Sequence, residues 1–203
     1  MNTDLIVAII TAVTTSVVGP VVVHYVQSMV ERKKKDSLID AIETNHMIND
    51  KLDQIKKEIH SDRIWLIQFH NGAHFYPTGK SIQKFSMVYE IVSSGVVPCQ
   101  TQFQNIPVSL FSKSIHALYK GSTISIPDTT IAEKQFEGFT SVIHGANVKS
   151  TYMIPLYNIK NEFIGIIGID YVNKKRELKE KELTDIDIEL STIGGVLNNY
   201  LKL

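Results

Sequence analysis

The sequence predicts an α+β domain carried behind a membrane helix and a coiled-coil neck. Three observations predict it: an uncharged apolar run near the N-terminus, a heptad of apolar residues after a basic cluster, and then β-type alternating segments mixed with two helical patterns. The expected division is residues 1–30 as a transmembrane helix, 31–62 as a basic juxtamembrane segment and neck, and 63–203 as the folded domain. The length of 203 residues suits one ordinary domain with an appendage. Lys and Arg number 21, as do Asp and Glu, so the basic excess expected of a nucleic-acid binder is missing and no nucleic-acid partner is expected. Cys99 is the one cysteine, which removes any intramolecular disulfide framework or cysteine-based zinc site and suits a reducing compartment.

From Leu5 to Val30 there is no Asp, Glu, Lys or Arg. Its purest part, Leu5 to Val23, would cover about 28 Å as a helix, close to the roughly 30 Å hydrocarbon core of a bilayer. A cleaved signal peptide would begin with basic residues; here only Asp4 is charged before the run. Arg32-Lys33-Lys34-Lys35 follows at once, so the positive-inside rule places the N-terminus outside and everything after Glu31 in the cytoplasm. His24 and Tyr25 fall at the inner boundary, and Gly19-Pro20 marks a kink. Small residues recur as Ala8, Ala12, Ser16 and as Thr11, Thr15, Gly19, rows that would let a second helix approach.

Between the basic cluster and Arg63 there is no Pro or Gly. Position a of the heptad holds Leu38, Asn45, Leu52 and Ile59, and position d holds Ala41, Ile48 and Ile55. This predicts a parallel two-stranded coiled coil whose polar Asn45 fixes the register. The competing arrangement is an amphipathic helix lying on its own domain.

The domain begins with a strand over Arg63 to His70, stopped by the turn pair Asn71-Gly72. A second strand covers Lys84 to Val92, and strict alternation puts Phe85, Met87, Tyr89 and Ile91 on one face. Pro107 opens a helix carrying Leu110, Phe111, Ile115, Leu118 and Tyr119, which Gly121 ends. Thr123 to Ile126 is a short strand, and Thr130 to Val148 reads as loop or short helical pieces. Ser150 to Tyr157 and Glu162 to Val172 form a hairpin. Thr184 and Asp187 have capping-box spacing and open a last helix with Ile186, Leu190, Ile193, Leu197 and Leu201 on one face.

The hairpin Tyr152-Met153-Ile154-Pro155-Leu156-Tyr157 followed by Phe163-Ile164-Gly165-Ile166-Ile167-Gly168-Ile169 resembles the signature of the GAF domain family. So do the helix ending at Tyr119-Lys120-Gly121 with Ser125-Ile126-Pro127-Asp128 after it, and the closing helix after Leu183-Thr184. The resemblance covers roughly residues 61 to 203. It implies a central antiparallel sheet with the N- and C-terminal helices on one face and a ligand pocket under loops on the other. It also implies a homodimer through the terminal helices, with Leu38, Asn45, Ile48, Leu52, Ile55, Ile59 and the C-terminal helix at the contact. Gly194-Gly195 suits a close neighbour there, since each glycine weakens a helix by about 1 kcal/mol.

The pocket residues implied by position are Gln68, His70, Phe85, Phe103, Asp128, His144 and Tyr152. Apolar and aromatic walls with a few polar groups suit a small planar ligand. The family's cyclic-nucleotide subset carries an Asn-Lys-x-Phe-Asp-Glu motif that is absent here. Gly79-Lys80-Ser81 invites a phosphate-loop reading, but the earlier glycine of that pattern is replaced by His74 and no helix is expected to follow. His70 and His74 are separated by a turn pair with no third ligand nearby, so no metal is expected. GAF-like thiol enzymes reduce methionine sulfoxide with more than one cysteine, because a second thiol must resolve the oxidised sulfur. Cys99 stands alone and is expected to pack rather than react. No catalytic residue and no cofactor are expected.

The functional expectation is a membrane-anchored cytoplasmic sensor in signal transduction, acting as a dimer on an unidentified small-molecule ligand. With no output domain after Leu203, the signal would leave through a protein partner or the membrane helix. The alternative is a ligand-free interaction module that tethers a partner at the membrane. A thiol enzyme is the reading least favoured.

Overall fold

A single antiparallel sheet organises the folded part of the chain. The computed structural model describes residues 19–74, 77–131 and 145–200. These fall in two compact units, Met1–Asn45 and His46–Leu203. The helices are α1 (Gly19–Glu58), α2 (Ser112–Tyr119) and α3 (Glu180–Tyr200). The strands are β1 (Arg63–His74), β2 (Ser81–Val92), β3 (Ile106–Pro107), β4 (Ile124–Ile126), β5 (Ser150–Tyr157) and β6 (Phe163–Tyr171). Their order in the sheet is β3-β2-β1-β6-β5-β4, so an α+β fold with the expected antiparallel sheet is formed.

In the second unit, helix and strand periodicity meet on one face of the sheet. Ile48, Leu52, Ile55 and Ile59 of α1 and Ile186, Leu190, Ile193 and Leu197 of α3 share a core with Ile64, Leu66, Ile154, Leu156, Ile167 and Ile169. Fully burying each such side chain stabilises the fold by about 1.5–3 kcal/mol. Lys51 pairs with Glu189 at 2.8 Å at the rim of this core.

This packing places four residues of the expected dimer seam in the chain's own core. The four heptad residues Ile48, Leu52, Ile55 and Ile59 are spent on the chain's own sheet, because a half-turn of apolar surface can be buried only once. In the first unit the heptad residues Leu38 and Asn45 are exposed, as are Ile39 and Ile42. Gly194 is likewise explained within the chain. A Cβ there would stand 2.0 Å from the Tyr157 carbonyl oxygen, so the close neighbour that demands glycine is the end of β5. A Cβ on Gly195 would meet only Ile159, at 3.8 Å.

Two element boundaries differ from expectation. β1 runs through Asn71-Gly72, held by pairing of Asn71 with Gln83 and by Gln83 Nε2 donating to Asn71 Oδ1 at 3.0 Å. The turn lies further on, where Gly79 has φ +68°. α3 begins at Glu180 rather than Thr184, whose hydroxyl donates back to the Glu180 carbonyl at 3.0 Å. Glu182 accepts from the Lys179 amide at 2.9 Å instead.

The strand β2 carries the largest departure. Leu66 faces Tyr89 but Ile67 faces Met87, so Val88 is an inserted residue. One extra residue reverses the side-chain alternation. Phe85 and Met87 therefore lie on one face, whereas Tyr89 and Ile91 join the helix-covered core on the other.

Among the described residues no helix is long and apolar enough to cross a membrane. Residues 5–18 of the expected span lie outside the described residues, as does Leu201.

Candidate functional site

The face of the sheet away from α1 and α3 holds a second core, and it is built differently. Trp65, Ile67, Phe85, Met87, Met153 and Ile166 come from the strands, with Cys99, Phe111, Ile115, Leu118 and Val148 over them. At one end of this face the strands also turn charged groups inward. Arg63 of β1, Glu90 of β2 and Asp170 of β6 are almost wholly buried.

These three side chains form one cluster. Arg63 Nη1 lies 3.2 Å from Asp170 Oδ2, and Arg63 Nη2 donates to the Val97 carbonyl at 2.8 Å. Arg63 Nε lies 3.1 Å from Glu90 Oε1 as an ion pair, yet makes no hydrogen bond among the described residues. Asp170 also accepts from Trp65 Nε1 at 3.0 Å and from the Thr151 hydroxyl at 2.7 Å. Glu90 accepts from the amides of Cys99 at 2.9 Å and Gln100 at 2.8 Å.

The local sequence explains this placement. The inserted Val88 turns Glu90 to the same side as Arg63; without it the carboxylate would face the helix-covered core. Gly168 makes room for the Trp65 indole, since a Cβ there would stand 1.9 Å from the ring. The indole therefore lies across β6, and its N–H reaches Asp170.

Burying an ion cluster costs several kcal/mol per charge before attraction and hydrogen bonds offset it. Burial pushes the Asp170 carboxyl up, against the Thr151, Arg63 and Trp65 contacts that favour its charged form. The Cys99 thiol is likewise raised by burial, to about 12, and by its own hydrogen bond to Glu90 Oε1 at 3.2 Å. A thiol so placed is held protonated, the opposite of what a nucleophile needs.

A cavity of about 40 Å³ adjoins the cluster. Arg63 and Asp170 line its polar end; Trp65, Ile67, Phe85, Met87, Cys99, Phe103, Ala146, Val148 and Met153 line the rest. Of the residues implied from sequence, Phe85 and Phe103 are in this wall.

The others are placed elsewhere. Tyr152 faces the helix-covered core, where its hydroxyl donates to the Arg176 carbonyl at 2.7 Å and accepts from the Leu178 amide at 2.9 Å. It is therefore a structural residue rather than a pocket residue, because β5 turns Met153 and not Tyr152 to the cavity. Gln68 and His70 alternate with Ile67 and Phe69 and so point away from the cavity face. His70 Nε2 lies 2.9 Å from the Ser86 hydroxyl. Asp128 pairs with Lys175 and accepts from the Thr130 amide and hydroxyl, contacts that hold its carboxyl down at about 2. His144 lies outside the described residues.

Sequence reasoning missed Arg63, Glu90, Thr151 and Asp170. The available signal was a charged residue at the start of an apolar strand and another inside the run from Ile164 to Val172, each at a position where a solvent-facing side would be expected to show several.

A second concavity, an open groove of about 740 Å³, runs beside α2 at the other end of the same face. Phe69, Ile115, Tyr119 and Phe163 form its apolar floor, with Gln83, His116 and Glu162 at the rim. Phe69 and Phe163 meet as tilted rings, their planes 52° apart and their centroids 4.9 Å apart. Gly79-Lys80-Ser81 lies in the β1–β2 connection, and Ser81 begins a strand. Among the described residues no group of three or more His, Cys, Asp or Glu is placed to hold a metal ion.

The sequence matches no family model and no curated protein. Its structure is similar to solved GAF domains. The blue-light absorbing form of the PixJ GAF domain of Thermosynechococcus elongatus aligns with TM-score 0.61 at 15% identity, over 76% of this chain and 84% of that one. A far-red cyanobacteriochrome photoreceptor aligns with TM-score 0.61 at 14% identity, over 87% of this chain and 98% of that one. A GAF domain/HD domain protein of Geobacter sulfurreducens aligns with TM-score 0.59 at 12% identity, over 79% and 95%. The fold is that of a GAF domain.

Proposed function

We propose, from the GAF fold as premise, that this chain is a sensory module in signalling. Its second unit binds a small molecule in the cavity beside Arg63 and Asp170, and binding alters the packing of the terminal helices on the opposite face. The observation that carries this reading is the contrast between the two faces: charged groups and free space are kept together on one, while the other is filled. Strands β1, β5 and β6 supply side chains to both faces, so a shift of Trp65 or Met153 is felt by Ile64, Leu66 and Ile154. A ligand acts on the helices only through a difference in affinity between two such packings.

The anchor and the dimer belong to the same proposal. The uncharged run Leu5 to Val30 and the basic cluster after it support a single span with the domain in the cytoplasm. The exposed Leu38, Ile42 and Asn45 support pairing of two chains along the first part of α1, ahead of the segment that the domain itself covers. No enzymatic step is proposed, since Cys99 is buried and held protonated.

Thermal-shift measurements of the full chain against purines, cyclic nucleotides, amino acids and small uncharged organics test the sensor. At 100 times its Kd a ligand adds about 2.7 kcal/mol to stability. Failure of the whole panel to raise Tm would favour the second reading, an interaction module tethered at the membrane. The open aromatic groove beside α2 is the observation that supports that alternative.

A further inference from the structure

A cavity of about 40 Å³ is room for about three water molecules. On the sensor reading, on which this inference rests, a ligand therefore enters only if a wall moves. Strands supply most of the wall through Trp65, Ile67, Phe85, Met87 and Met153. Cys99 and Phe103 come instead from residues 93–105, the connection between β2 and β3.

Polar groups do most of the work of holding this connection in place. Val96 and Cys99 are buried and Phe103 is half-buried, whereas Val97 and Pro98 are exposed. Around the inserted Val88, β2 bonds to the connection. The Met87 amide donates to the Phe103 carbonyl at 2.8 Å, Gln100 Nε2 to the Val88 carbonyl at 2.9 Å and Gln104 Nε2 to the Met87 carbonyl at 2.8 Å. Left-handed backbone marks both ends, with φ +85° at Gly95 and +58° at Asn105. A segment with few buried apolar side chains opens locally at a lower cost than the fold as a whole.

The charged cluster divides along the same line. Among the described residues, the hydrogen bonds to the Glu90 carboxylate come from the Cys99 and Gln100 amides and the Cys99 thiol, all in the connection. Those to Asp170 come from Arg63, Trp65 and Thr151, all in the sheet. Arg63 joins the two halves, since its Nη2 also donates to the Val97 carbonyl. Lifting the connection would return Glu90 and Arg63 to water and leave the Arg63–Asp170 pair on β1 and β6. Charge-assisted hydrogen bonds favour the closed form, and hydration of two buried charges favours the open one.

We propose that residues 93–105 form a hinged strap over the cavity and that Glu90, ion-paired with Arg63, is its latch. The strap opens as one unit, admits the ligand beneath Cys99 and Phe103, and closes when the Cys99 and Gln100 amides return to the carboxylate. Glu90 is a positioning residue, because it acts through the strap.

Amide hydrogen exchange of the ligand-free, 15N-labelled full chain in detergent micelles tests the latch. The amides of Met87, Cys99 and Gln100 should have protection factors within about threefold of one another and at least about tenfold below those of the slowest β1–β6 ladder amides. Glu90→Gln keeps the side-chain shape and removes the charge. It should speed exchange of those three amides by at least about tenfold and of the ladder by less than about threefold. Gln104→Ala removes a tie of the strap outside the charged cluster and should speed the same three amides by about threefold.

Protection of Cys99 and Gln100 as high as that of the ladder overturns the strap. Equal acceleration of strap and ladder in Glu90→Gln would show a general structural role and overturns the latch. If that variant does not fold, Gln104→Ala carries the test, and strap amides unmoved by it overturn the proposal. Because no ligand is present, either failure leaves the sensor reading to the stabilisation panel. A strap that opens as expected in a chain no compound stabilises removes the sensor reading and leaves the latch.

Discussion

The two faces of the sheet are made from the same strands yet solve different problems. On the helix-covered face, aliphatic side chains from α1, α3 and four strands fill the space, and the polar groups present are tyrosine hydroxyls with backbone partners, such as Tyr171 to the Ile59 carbonyl at 2.9 Å. On the other face a comparable set of apolar residues surrounds three buried charges, a tryptophan and a cavity. A core that needed only stability would not keep that arrangement, since replacing a buried ion cluster by packed apolar side chains is often neutral or stabilising. The difference sets a filled face apart from one that keeps charge and space together, and the proposed recognition site rests on that contrast.

The largest expected effect comes from breaking the charged end. Arg63→Met leaves Glu90 and Asp170 buried without their cation and should lower stability by about 3–5 kcal/mol, measured by urea denaturation. Adding Glu90→Gln and Asp170→Asn to it should restore part of the loss, and no restoration would mean that packing of the Arg63 stem, not charge, was removed.

The filled face is tested by a pair of leucines on the same helix. Leu52→Ala, at a fully buried position, should cost about 2–5 kcal/mol. Leu38→Ala, at a position 61% exposed, should stay within about 0.5 kcal/mol. Equal effects would contradict the division of the heptad between the domain core and an exposed stretch; a concentration-dependent cost for Leu38→Ala would instead reveal the paired neck.

A smaller effect is expected where α3 crosses β5. Gly194→Ala places a methyl against the Tyr157 carbonyl and should destabilise by about 1–3 kcal/mol, while Gly195→Ala, whose methyl would make only an ordinary contact with Ile159 at 3.8 Å, should be neutral or stabilising through helix propensity.

The smallest effect is chemical. Because burial and Glu90 raise the folded-state pKa of Cys99 to about 12, the native thiol is almost wholly protonated at pH 8 and its reactivity should climb only as pH rises toward that value. Alkylation by iodoacetamide should therefore be slow in the native protein and fast in urea. Rapid native labelling at pH 8 would show the cavity wall to be open.

Much of this architecture was legible in the chain. The heptad from Leu38 to Ile59, the alternation of β5 and β6, and the apolar stripe of α3 are local periodicities, and local periodicity fixes which residues share a face. The hairpin motif and the order of elements pointed to the GAF fold that the structure has. The uncharged run from Leu5 to Val30 and its basic flank are likewise properties of the sequence.

What covers each face was settled only in three dimensions. Nothing local distinguishes a heptad that meets its twin from one that meets its own sheet; the sheet decides, by presenting Leu66 and Ile167 to the core that Leu52 shares. The inserted Val88 is also invisible in the alternation, because a bulge is defined by the partner strand it slips against. That one residue turns Glu90 to Arg63 and Tyr89 away from it. The candidate site follows from tertiary pairing: Arg63, Glu90 and Asp170 lie far apart in the chain, and only the adjacency of β2, β1 and β6 makes one charged cluster of them.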